Sequence, residues 1–248
     1  MIVQLKISVS LVVIFACFFC LRLQGAANSQ LDSIPVYTKE ELLGKFNPSK
    51  HASFTLIEPA YTSKTGIYLR KEAYEAFKQM HRAAAASRVS LTILSATRNF
   101  DAQKAIWERK WKRPQYEGKQ DLDRITDILK FSSMPGTSRH HWGTDIDLNS
   151  LEPAYFKSGK GLAVYQWLQA HAAEFGFYQT YTSKLNGRLG YEEEAWHWSY
   201  IPLSGPMLKA YSASINYSDL VGFSGSESAS KARVIEDFVN GIDSNLLK

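Results

Sequence analysis

The sequence predicts an α+β fold, a single domain with a small, mainly antiparallel sheet flanked by helices. Three observations carry that prediction. Short β-branched or aromatic runs read as strands at Val89–Leu94, Thr144–Leu148, Phe177–Thr182 and Ala195–Ile201. Amphipathic segments read as helices, with Ala73, Phe77, Met80 and Ala84 spaced along one face of Arg70–Ser87. The two kinds of segment do not alternate regularly, as a doubly wound fold would require.

In chain order, Met1–Lys6 supplies a charged start and Ile7–Leu21 an unbroken run of apolar and small residues. Gly25-Ala26-Ala27 follows with small side chains. This is the three-part layout of a cleaved signal peptide over residues 1–27. The run is shorter than the roughly 20 residues that span a bilayer, so no stable membrane span is expected after cleavage. Phe19 stands where a small residue should precede a lipidated cysteine, which discounts Cys20 as an anchor. An N-terminal segment (28–69) holds a capping box, Thr38 with Glu41, opening a short helix. Residues 70–202 form the expected core. Phe100–Lys112 and Asp121–Lys130 read as helices, Met134–Ser138 as a turn, and Gly161–Phe175 as a helix stopped by Gly176. A C-terminal helical extension (203–248) includes an amphipathic helix over Ser228–Ile242, expected to pack on the same domain.

Composition removes several functional classes. Cys17 and Cys20, the only cysteines, both fall in the leader. The mature chain therefore has no disulfide, no thiolate metal site and no catalytic cysteine. Any metal must be held by His, Asp or Glu. The formal charge of +5 falls to +3 without Lys6 and Arg22, an excess too mild to argue for nucleic acid but suited to an anionic wall polymer. The basic, Trp-bearing run Lys104–Arg113 reads as a surface helix with Ile106 and Trp107 turned inward.

Two segments carry chemistry. In Ser138–Leu148 (SRHHWGTDIDL), His140 ends a turn and Asp147 lies seven residues on in a strand, with Gly143 free to bend the chain between them. Imidazole nitrogen and carboxylate oxygen both suit zinc. In Tyr191–Tyr200 (YEEEAWHWSY), Glu194 precedes His197 by three residues. Three protein ligands leave a fourth position for water, and a carboxylate that is not a ligand can take that water's proton. On proximity alone Glu192 and Glu193 compete with Glu194. The remaining histidines read as structural: His81 and His171 in helices, His51 in a polar loop without an acidic partner, and His141 turned away from its neighbour.

Together these segments resemble the zinc D,D-carboxypeptidases of the VanY type, within the wider group of VanX dipeptidases and the Hedgehog signalling domain. Ser138, His140, Gly143 and Asp147 match the pattern S-x-H-x-x-G-x-A-x-D, and Glu194, Trp196 and His197 match E-x-W-H. Upstream, Ser95-Ala96-Thr97-Arg98 with Gln103 matches a third element. The resemblance spans roughly residues 70–202. It implies one zinc ion per chain on His140, Asp147 and His197, with Glu194 as base. It also implies Arg98 facing the scissile carbonyl or substrate carboxylate, with Ser138, Gln103 and Trp196 around the substrate. The implied activity is removal of a terminal D-Ala from peptidoglycan stem peptides, in the periplasm or at the cell wall. An L,D-carboxypeptidase, an endopeptidase on the same polymer, or a zinc-bearing wall-binding module without catalysis are the alternatives. Three positions depart from the pattern. Asp145 replaces Ala and could orient a ligand or act as one, Ala195 replaces Pro, and Ser199 replaces Arg.

Overall fold

The computed structural model describes residues 37–246, all within one compact unit, so the leader expected over 1–27 lies outside the described residues. The Thr38 side chain accepts from the Glu41 N–H, and the Glu41 carboxylate accepts from the Thr38 N–H, each at 3.1 Å. This reciprocal cap opens α1 (Lys39–Leu42). Next comes a hairpin of β1 (Phe54–Leu56) and β2 (Tyr68–Arg70), which the sequence pattern did not reveal because each strand is only three residues long. Helix α2 (Lys71–Ala86) buries Ala73, Phe77, Met80 and Ala84, the predicted stripe. Helices α3 (Phe100–Trp111), α4 (Asp121–Ile128) and α5 (Gly159–His171) follow close to expectation. Among the described residues, no helix is long and apolar enough to cross a membrane.

The main sheet is antiparallel throughout, with β3 (Ile93–Ser95), β4 (Asp145–Leu148), β6 (His197–Tyr200) and β5 (Phe177–Gln179) side by side in that order. Strand period puts alternate side chains on opposite faces. Ile146, Leu148 and Trp198 join Phe77, Met80 and Leu168 in one apolar core. Asp145, Asp147, His197 and Ser199 alternate with them and occupy the other face. A second core gathers Trp107, Trp142, Met207 and Tyr211. Trp107 and Trp142 each satisfy their indole N–H on a backbone carbonyl, of Ser224 and Leu42 respectively.

Three expectations need correction. Strand β3 begins at Ile93, not Val89. Asn149 takes the preceding backbone groups instead, accepting from the Thr92 N–H and donating to the Ser90 carbonyl, so no ladder forms there. The helix expected over Ser228–Ile242 is a six-residue π-helical segment, Val234–Val239, preceded by turns and by Arg233 at a left-handed φ of 51°. Its Val234, Ile235 and Val239 are buried in the second core. His51 does have an acidic partner: its Nε2 lies 3.3 Å from Glu41, brought close by folding and not by sequence proximity. The segment expected to be a C-terminal helical extension opens with a helix, α6 (Ile201–Ser214). Pro202 there sits in the first turn, where an amide N–H has no partner within the helix.

Candidate metal centre

Strand register builds the site. Asp147 pairs with His197 and Asp145 with Ser199 across β4 and β6, so four polar side chains fall on one patch of one face. His140 enters from a 3₁₀ turn, Arg139–Trp142, just before β4. One donor atom each from His140, Asp147 and His197 lie within 4.8 Å of one another, and all three residues are buried. The His140 Nδ1 is 2.8 Å from the Ala96 carbonyl, which assigns the ring proton to Nδ1 and leaves Nε2 as the lone-pair nitrogen, 3.3 Å from Asp147. His197 Nδ1 is 3.0 Å from the other Asp147 oxygen. Tetrahedral zinc ligands at ordinary bond lengths sit about 3.3 Å apart, so this donor set fits that ion.

Gly143 allows the turn. Its φ is +69°, and a Cβ there would come within 2.2 Å of Phe54 Cε1. The backbone is pinned on both sides, with the Arg70 N–H donating to the Gly143 carbonyl and the Arg70 guanidinium to that of Trp142. Gly143→Ala is expected to cost about 3 kcal/mol, from left-handed strain plus overpacking. Thermal unfolding should show this as a Tm lower by about 6–12 °C.

The neighbouring His141 has a different task. Fully buried, it accepts from the Gly136 N–H through Nε2 at 3.0 Å and donates through Nδ1 to the Arg98 carbonyl at 2.6 Å. Burial drives its pKa down to about 3, so it stays neutral. The Arg98 N–H in turn donates to the His140 carbonyl. The 3₁₀ turn thus fixes the Arg98 backbone at two points.

Glu194 Oε2 lies 3.7 Å from His197 Nδ1. Burial raises its pKa to about 7, with Asp147 adding to the rise and His197 and Arg98 opposing it. Burial would raise the Asp147 carboxyl, but the two histidines overcome it and hold the group well below the usual range. Burial would lower His197, but bonds to Asp145 and Asp147 raise it to about 9. The His140 pKa is lowered by burial and by Arg98.

These groups open on a cleft of about 720 Å³, also lined by Arg98, Ser138 and Trp196. Arg98 Nε and Ser138 Oγ are buried without a hydrogen-bond partner in the protein. Neither Arg98 nor Lys110, another wall residue, forms an ion pair with a carboxylate among the described residues. Gln103 lies behind the wall, donating to the Ser133 carbonyl at 2.7 Å. Glu192 instead pairs with Lys184 at 3.2 Å, and Glu193 contacts Tyr165. Asp145 bonds His197 Nε2 at 2.9 Å.

Sequence reasoning missed two neighbours of the site. The Tyr181 ring packs 4.7 Å from that of His197, centroid to centroid. Arg139, buried to 1% exposure, pairs with Asp145 at 3.0 Å. No local signal marks Tyr181. Arg139 occupies a variable position inside the first motif, and its only hint is an opposite charge six residues on.

Comparison with known proteins gives a consistent result. The carboxypeptidase-named YodJ of Bacillus subtilis (strain 168) is 29% identical over 140 residues, 54% of this chain and 46% of its own length. A D-alanyl-D-alanine carboxypeptidase of Enterococcus faecalis (strain ATCC 700802 / V583) is 28% identical over 119 residues, 48% of this chain and 43% of its own. The chain thus spans less than half the length of these curated relatives. The structure of the LdcB LD-carboxypeptidase shares the fold, with a TM-score of 0.51 at 20% identity over 81% of each chain. A family model described as D-alanyl-D-alanine carboxypeptidase matches residues 66–203, more than half of this chain and all of the candidate site. The chain belongs to the VanY family of D-alanyl-D-alanine carboxypeptidases.

Proposed function

We propose that the protein is an exported zinc carboxypeptidase that removes a terminal D-Ala from peptidoglycan stem peptides. The observation that carries this reading is the buried His140–Asp147–His197 cluster opening on a cleft beside a carboxylate of raised pKa. One zinc ion held there supplies a Lewis acid that polarises a carbonyl and acidifies water. Glu194, outside the three-residue donor cluster yet 3.7 Å from His197, accepts a proton from water and passes it to the leaving amine. Arg98 offers its partnerless Nε to the developing oxyanion or to the substrate's carboxylate. Ser138 Oγ donates to the same carboxylate, and Trp196 forms one wall. Gln103 acts indirectly, holding Ser133 at the rim. Burial and nearby arginines lower the pKa of Lys110, and its ammonium donates to Ser132 on the cleft wall. Such a wall favours an anionic peptide end. The relative named for D-alanyl-D-alanine carboxypeptidase activity supports the D,D choice.

The test is mass spectrometry of defined stem peptides after incubation with residues 28–248. The expected result is loss of one D-Ala from a pentapeptide ending in D-Ala-D-Ala, abolished by a chelator and restored by zinc. Loss of D-Ala from the tetrapeptide alone would reassign the enzyme as an L,D-carboxypeptidase. No loss from either, with zinc bound, would overturn the carboxypeptidase reading in favour of an endopeptidase on the same polymer or a wall-binding module.

A further inference from the structure

Asp145 and Ser199, two of the departures from the family pattern, are direct cross-strand partners. Together with Arg139 and Ser204 they form a closed polar cluster beneath His197, with every member at 1% exposure or less. Asp145 Oδ1 accepts from Thr144 Oγ1 and from Ser199 Oγ, each at 2.7 Å. Its Oδ2 accepts from Arg139 Nε at 3.0 Å and from His197 Nε2 at 2.9 Å. Ser199 Oγ, having donated its proton to Asp145, accepts from an Arg139 terminal nitrogen and from the Ser204 hydroxyl, both at 2.8 Å. The short Ser199 side chain leaves the Arg139 guanidinium room to reach the carboxylate.

We propose that Asp145, charge-balanced by Arg139, is a positioning residue that fixes which nitrogen of His197 binds the metal, and is not itself a ligand. The proposal rests on the zinc reading above. An ionised carboxylate has about four lone-pair sites, and four donors already fill those of Asp145. It therefore has none to give a metal. Both His197 nitrogens face carboxylates, Nδ1 toward Asp147 at 3.0 Å and Nε2 toward Asp145 at 2.9 Å. Once Asp147 is committed to the metal, the proton that the ring keeps is the one on Nε2, held by Asp145, which can only accept. The lone pair is then on Nδ1, the nitrogen that faces Asp147 at 3.0 Å and Glu194 at 3.7 Å. A partner of this kind orients the ring and raises its basicity toward the metal. Arg139 cancels the added negative charge. The metal consequently sees one net anionic ligand, Asp147, and keeps its strength as a Lewis acid.

Two measurements test this. In the first, a chromophoric chelator competes for zinc with the wild type, Asp145→Asn and Ser199→Ala. Asp145→Asn should weaken zinc binding by about 10- to 100-fold, the usual effect of removing such a partner. Ser199→Ala, which cuts one bond to Asp145 but none to His197, should stay within about threefold of wild type by the same reasoning. If Asp145→Asn does not fold with Arg139 left uncompensated, the double variant Arg139→Gln/Asp145→Asn carries the same expectation. In the second, nitrogen NMR of zinc-loaded wild type should show His197 protonated at Nε2 and metal-bound at Nδ1. Unchanged zinc affinity in the Asp145 variant, or metal on Nε2, overturns the inference while leaving the zinc reading intact. A wild-type protein that binds no zinc overturns both.

Discussion

Replacing Glu194 with Gln is expected to lower turnover of a D-Ala-D-Ala-ended pentapeptide by about two to four orders of magnitude, the usual contribution of a positioned general base. Zinc content should not change, because the three ligand residues are untouched. Gln keeps the shape of Glu and its carbonyl acceptor but cannot take a proton at this site. The same substitution should have the opposite effect on the stability of the metal-free protein. The folded-state pKa of Glu194 is raised from 4.5 to about 7, so its contribution is fully present below about pH 4.5 and is lost as pH rises through 7. At pH 8 the ionised group costs on the order of 3 kcal/mol. Metal-free Glu194→Gln should therefore melt above wild type at pH 8 and level with it near pH 4. A variant that retains zinc and full activity would remove Glu194 from the base role. A variant less stable than wild type at pH 8 would mean that burial does not dominate at this carboxylate. Bound zinc adds positive charge nearby, so the acidic limb of the activity profile should lie below 7.

Zinc affinity is expected to fall about tenfold for each pH unit between 9 and 7, and more steeply below. The metal-free His197 has a pKa raised to about 9 and is an imidazolium across this range. A metal entering at Nδ1 must displace one proton, whereas His140, with its lowered pKa, has none to lose. Below about 7 Glu194 is also protonated in the metal-free protein, and its proton is expelled in turn. Calorimetry in buffers of differing protonation enthalpy reads the count directly. One proton should be released per zinc at pH 8, rising toward two at pH 6. Release of none at pH 8 would contradict the charged His197.

Much of the site could be read from the sequence because its groups lie in short segments of fixed spacing. His140 and Asp147 are joined by one turn, and Glu194 and His197 by three residues. Strand alternation then places Asp147 on the polar face whatever the rest of the fold does. What could not be read are the contacts made across the sheet. That Asp145 meets Ser199, and that Arg139 folds under both, depends on the pairing of β4 with β6, two strands about fifty residues apart in the chain. Gln103 shows the reverse error. Its place in a motif suggested substrate contact, but burial of α3 turns it to the Ser133 carbonyl. In the fold, helices with a clear apolar stripe and the strands of the main sheet were legible, the latter with ends set too wide, while the short hairpin strands β1 and β2 were not, since a period of two needs more residues to show. The C-terminal π segment was hidden because its apolar residues suit an α-helix equally well, and only the left-handed Arg233 interrupts it.

The shared strands β4 and β6 tie catalysis to folding in a specific way. Each carries core residues on one face and site residues on the other, and both lie in the interior of the four-stranded sheet. Local fraying therefore cannot displace Asp147 or His197 while leaving the body of the protein intact. Amide hydrogens in these strands should be among the slowest to exchange, and exchange there requires opening of the whole domain. Zinc held by Asp147 and His197 on these strands would stabilise the entire native state by mass action, not a single loop. On the proposed reading of an exported zinc enzyme, loss of metal and exposure to proteases would become one event.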